Sequence, residues 1–165
     1  MVGDIVRDFG YLTLGSRLKR IGERLQGDVS KLSAELGLDV QSGQHPLIAV
    51  LFKSGPTSIG MLARLLGVRQ PAITRTVLQL KAAGLVAVTS GLSDQRMKSV
   101  ALTPAGRQFA ARAEAELWPV VEAAVRALCA DLNGPLIAQL GQLEDALGEA
   151  PLDVRAAALI RLRET

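Results

Sequence analysis

At 165 residues, with a formal charge of +3 and 48% hydrophobic side chains, the chain is long enough to close its own core, and an aromatic content of 3% makes that core aliphatic. One cysteine, Cys129, and one histidine, His45, exclude an internal disulfide and any zinc site built from thiolates and imidazoles, so no metal or cofactor is expected. Asp4, Arg7 and Asp8 interrupt the apolar N-terminus, which therefore does not read as a signal peptide, and no apolar run approaches bilayer length; the expectation is a cytoplasmic protein.

In chain order, Phe9, Leu12, Leu18, Ile21 and Leu25 predict a helix from Asp4 to about Gln26. Gly10, Gly15 and Gly22 weaken it, and imply either close packing against another helix or a break near Gly15. A second short helix is expected over Ser30 to Leu36, then a connector punctuated by Gly37, Ser42, Gly43 and Pro46. Pro46 opens a helix to Lys53, closed by Ser54, Gly55 and Pro56, which would form a floor under the two helices after it.

The stretch from Thr57 to Gly84 reads as two short helices meeting at a tight turn. Ile59, Leu62, Ala63 and Leu66 give the first an apolar stripe, with Thr57 or Ser58 as its N-cap; Gly67 ends it and Val68 is expected to plug the gap between the helices. Ile73, Val77 and Leu80 form the buried stripe of the second, which leaves Gln70, Ala72, Thr74, Arg75 and Gln79 on the other faces. A helix-turn-helix of this kind puts its second helix into a DNA major groove, with Arg75 suited to guanine, Gln70 to adenine and Thr74 to a base or a phosphate.

After Gly84 the period changes to two. LVAVT and KSVALT predict a β-hairpin with Leu85, Ala87 and Thr89 on one face and Val86 and Val88 on the other. Its tip carries Asp94, Arg96 and Lys98, suited to lie over phosphates or in a minor groove, so the hairpin reads as a wing. Charge supports this. From Lys53 to Lys98 seven basic side chains stand against Asp94 alone, whereas residues 1–52 balance six against six and residues 104–165 hold six basic and nine acidic ones.

Thr103 and Pro104 start a helix expected to reach Leu132 with a kink at Pro119, Asn133-Gly134-Pro135 ends it, and further helices are expected over Leu136 to Leu147 and Leu152 to Arg163. The fold class is therefore mainly α with a small β-hairpin wing. Residues 46–103 form a winged helix-turn-helix DNA-binding domain, and residues 1–45 and 104–165 form a helical region whose apolar faces are expected to pair across a homodimer on a palindromic operator.

LARLLGVRQPAITRTVLQLKAAGLV and SDQRMKSVALTPAG together resemble the MarR family of bacterial winged-helix regulators, and the layout of helical arms, helix-turn-helix, wing and long helices resembles it over the whole chain. The chain departs from the family pattern at Arg69, where a serine N-cap is common, and at Gln95, where a second arginine is frequent. The resemblance implies a dimeric, sequence-specific DNA-binding regulator, usually a repressor, released by a small ligand or by oxidation. It places Asp94 and Arg96 at the wing's acid and minor-groove arginine, and Ser58, Arg69, Gln70, Ala72, Thr74, Arg75, Gln79 and Lys98 complete the expected DNA surface. An effector pocket between the dimer helices and the DNA-binding domain would draw on Tyr11, Arg17, His45, Phe52 and Trp118. Cys129 lies in the apolar stretch RALCADL and reads as an inert buried thiol. An enzyme is not expected, since His45 has no recognisable nucleophile or carboxylate partner in the sequence. The competing reading is a winged-helix scaffold for protein interactions, which would not require Arg75 and Arg96 on one surface.

Overall fold

The structure is a computed structural model that describes residues 4–90 and 98–163. Its contacts divide the chain into two compact units, Met1–Val121 and Glu122–Thr165.

The first unit opens with a short helix, α1 (Ile5–Asp8), capped by the Asp4 carboxylate, which accepts from the Arg7 amide and pairs with Arg20 at 2.8 Å. That pairing holds the Asp4 carboxyl below its ordinary pKa, through the Arg20 hydrogen bond first. A 3-10 turn, Gly10–Thr13, leads into α2 (Leu14–Glu35). The break expected near Gly15 falls just before it, over Phe9–Thr13, where Gly10 turns the chain with a left-handed φ of 56°; from Leu14 the helix then runs unbroken through the second helix expected over Ser30 to Leu36. Gly15 and Gly22 do not mark close packing among the described residues, because a Cβ built on either meets nothing within 4 Å there.

The core assembles around α3 (His45–Ser54), with Pro46 in its first turn. Leu47, Ile48 and Leu51 of α3 join Leu62 of α4 (Ile59–Leu65) and Ile73, Val77 and Leu80 of α5 (Gln70–Ala82), all nearly or wholly buried. Each such aliphatic side chain contributes about 1.5–3 kcal/mol through removal from water. The floor expected of α3 and the buried stripe expected of α5 are both present. Val68 is not the plug: it is 44% exposed, and its contribution is a backbone one, its amide bonding the Ala63 carbonyl at 3.0 Å to close α4 after Gly67 (φ 63°).

The hairpin strands are β2 (Val86–Ser90) and β3 (Lys98–Leu102), with Val86 opposite Leu102. They are joined by β1 (Thr57–Ser58), which pairs antiparallel with β3, Thr57 opposite Val100, so the sheet order is β1-β3-β2. Val86, Val100 and Leu102 are buried in the core, in keeping with the alternation.

Thr103 joins the sheet to α6 (Pro104–Arg112). Its hydroxyl accepts from the Gly106 amide at 2.9 Å and donates to the Gly84 carbonyl at 2.7 Å, while its own amide bonds the Leu85 carbonyl. Gly106 is required by contact: a Cβ there would stand 1.9 Å from the Leu85 oxygen. The helix expected to run on from Thr103 changes pitch before Pro119, through a π turn at Ala113–Leu117, and continues as α7 (Trp118–Leu128). Proline lacks an amide hydrogen and its ring crowds the carbonyl four residues back, here that of Ala115, which a wider turn relieves. Leu38, Ala113 and Leu117 form a second, smaller buried cluster.

In the second unit α8 (Leu136–Glu149) is closed by Arg155 of α9 (Leu152–Arg163), whose guanidinium donates to the carbonyls of Ala146 and Ala150. No described side chain of α8 or α9 is buried, and Cys129 is half-buried rather than buried. Among the described residues no helix is long and apolar enough to cross a membrane.

Candidate nucleic-acid interface

The helix-turn-helix owes its geometry to two helix starts. Ser58 leaves β1 in extended conformation and its hydroxyl accepts from the Met61 amide at 3.2 Å, so this residue caps α4. Arg69 occupies the N-cap of α5 without a side-chain cap bond, and Pro71 lies in the first turn, where its missing amide costs nothing. The positive end of α5 thus receives no cap from its own N-cap side chain, and Arg69 is exposed beside it.

At about 100° per residue, the buried stripe of Ile73, Val77 and Leu80 sets the opposite direction of α5 to within roughly 50° of Pro71, Arg75, Leu78 and Ala82. All four are exposed, as are Gln70, Ala72, Thr74, Gln79 and Lys81. No acidic residue lies between Lys53 and Ser90, and Arg75 makes no ion pair among the described residues. The structure therefore exposes Gln70, Ala72, Thr74 and Arg75 on the first turns of α5 and Arg69 at its N-cap, with Arg75 on the outer face.

Two of the expected reading groups already have internal partners. Thr74 donates its hydroxyl to the Gln70 carbonyl at 3.1 Å, leaving it only acceptor capacity. Gln79 is bonded at 2.9 Å to Gln44, a residue only 8% exposed in the turn before α3. A bidentate contact to adenine needs both polar atoms of a glutamine amide, so Gln79 cannot make one while this bond stands. Asp94 and Arg96 lie outside the described residues. Lys98 begins β3, with its backbone opposite Ser90.

The residues expected to line a pocket separate. Tyr11 is 94% exposed, Arg17 is half-buried on α2, and Phe52 packs on the main core. His45 and Trp118, 73 positions apart, meet directly. The indole Nε1–H can only donate, and it donates to His45 Nδ1 at 3.2 Å, so the imidazole proton resides on Nε2. Nε2 faces the Ser33 hydroxyl at 3.4 Å, which in turn donates to the Leu38 carbonyl. No local pattern in the chain singles out this serine. It is fully buried and committed to a carbonyl, which makes it a structural link and not a nucleophile. Burial lowers the His45 pKa, and the Phe109 ring, 5.8 Å away, covers it further.

This geometry has counterparts among known proteins. A sequence model described as the MarR family matches residues 36–97. The chain is 33% identical over 135 residues to the HTH-type transcriptional repressors Rv2887 of Mycobacterium tuberculosis and Mb2911 of Mycobacterium bovis, covering 82% of this chain and 93% of each relative. Its fold is similar to that of Bordetella bronchiseptica BpsR, described for regulation of DNA binding by 6-hydroxynicotinic acid (TM-score 0.64, 21% identity, covering 83% of this chain and 94% of that one). It is also similar to a mutant of E. coli MarR complexed with operator DNA (TM-score 0.66, 18% identity, covering 88% and 99%).

Proposed function

The chain belongs to the MarR family of transcriptional regulators, and from that premise we propose that it is a homodimeric, sequence-specific repressor of transcription, acting in the cytoplasm and released from a palindromic operator by a small molecule. The observation that carries the DNA-binding part is the outer face of α5, where Arg75 is exposed between Gln70 and Lys81 on a segment without a described acidic neighbour. Arg75 makes the guanine contact and Gln70 an adenine contact, Arg69 and Lys81 neutralise phosphates, Ser58 donates its hydroxyl hydrogen to the backbone, and Thr74, whose own hydrogen is committed, accepts from a base amino group. Arg96, Asp94 and Lys98 serve as the wing's contribution. Residues 46–103 are the DNA-binding domain, and residues 1–45 and 104–165 supply the dimer.

Repression is supported by the mycobacterial relatives, which are HTH-type transcriptional repressors, and ligand release by BpsR, whose DNA binding is described as regulated by 6-hydroxynicotinic acid. His45 and Trp118 are the centre of the effector region, since a ligand polar group that took over the indole hydrogen bond would break the side-chain link between α7 and the start of α3. Tyr11 and Arg17 can join it only from a second copy, and Phe52 acts from the core side.

The test is binding of the purified protein to its own upstream intergenic DNA and to a scrambled duplex, titrated across salt. Selective binding that weakens steeply with salt is expected. Equal, weak binding to both, with no duplex preferred from a random library either, would leave a protein-interaction scaffold as the function.

A further inference from the structure

We propose that Leu78 is a specificity residue of the DNA interface, packing against the 5-methyl group of a thymine beside the base read by Arg75. This rests on the DNA-binding reading above. Leu78 is 61% exposed although α5 needs nothing more for its core, where Ile73, Val77 and Leu80 are 3%, 2% and 0% exposed. It lies three residues after Arg75 on the same outer face, so the two side chains are neighbours.

The polar groups around it have little reading capacity left. Thr74 gives its hydroxyl hydrogen to the Gln70 carbonyl of its own helix, and Gln79 is bonded to Gln44. What remains on that face is one guanidinium and one isobutyl group, between Pro71 and Ala82. A second apolar protein surface is a poor occupant, because Arg75 is exposed on the same face of a helix that carries no acid, and would have to be desolvated without a partner. An anionic duplex satisfies that charge, and the thymine methyl is the apolar group its major groove displays.

The experiment selects a preferred duplex from a random library with the full chain, then replaces each thymine in turn by deoxyuridine, which removes only the methyl. One thymine per half-site is expected to matter, its replacement weakening wild-type binding about fourfold for each methyl lost. Leu78→Ala, which leaves the urea midpoint unchanged, is expected to bind the thymine and deoxyuridine duplexes equally, and Arg75→Ala to keep the difference between them. If wild type binds every deoxyuridine duplex as well as the parent while Arg75→Ala still weakens binding, the role of Leu78 is overturned and the DNA reading stands. If no duplex is selected, both fall.

Discussion

The middle of the chain and its two ends solve the problem of apolar surface differently. Between Leu38 and Leu117 the aliphatic side chains converge, and Leu47, Ile48, Leu62, Leu80 and Val100 are at most 1% exposed. Toward the ends they do not: Ile5, Phe9, Tyr11 and Leu12 are more than half exposed, as are Ile137, Leu152 and Leu159. Among the described residues the helix-turn-helix and the two hairpin strands thus bury their apolar stripe within one chain, while the flanking helices leave apolar surface exposed, which the proposed dimer would cover. On the proposed dimer, stability of the first and association through the second are separable quantities.

Matched truncations should expose that difference. Leu80→Ala, in the closed core, is expected to cost about 2–5 kcal/mol of unfolding free energy by urea titration. Gly106→Ala should cost about 3 kcal/mol, near the upper end for overpacking, because its Cβ meets a backbone oxygen that no rotamer change can move. Trp118→Phe keeps the ring and removes the donor, leaving His45 Nδ1 unpartnered, at a cost of about 1–3 kcal/mol. Leu12→Ala should change the unfolding free energy of the isolated chain by less than about 0.5 kcal/mol, yet weaken self-association in sedimentation experiments.

The His45 link sharpens the comparison further through pH. Its pKa is depressed in the fold by burial, so the unfolded chain takes up the proton first. The stability it contributes is complete above the ordinary imidazole value of about 6.5 and declines as pH falls below it toward the depressed value. An imidazolium would also point Nδ1–H at the indole N–H, donor against donor. Unfolding measured at pH 7.5 and 5.5 should show this loss in wild type, and His45→Gln should flatten it.

Much of this was legible in the sequence because it rests on local rules. The stripe of Ile73, Val77 and Leu80, the Thr103 cap and the alternation of Val86 and Val88 each declare themselves within a few residues. The continuity of α2 through Gly15 and Gly22 was not legible, since a glycine's helix penalty is about 1 kcal/mol and a long helix absorbs it. β1 is two residues long and has no period to detect. On the interface, Arg75 and Gln70 were readable as exposed, but the capture of Gln79 by Gln44 spans 35 positions, and the pairing of His45 with Trp118 spans 73. Exposed Leu78 is inconspicuous in the sequence because an apolar residue on a polar face carries no hydrogen-bonding signal.

The seat of Gly106 against Leu85 has a mechanical consequence. Elsewhere in the core, side chains separate the elements, and by changing rotamer they can take up small displacements. Here helix backbone rests on the backbone of Leu85, the residue just before β2, with no such cushion, and Thr103 bolts the same joint to the end of α5 through Gly84. Any force that tilts α6 is delivered undamped to the root of the wing and to the tail of the recognition helix together.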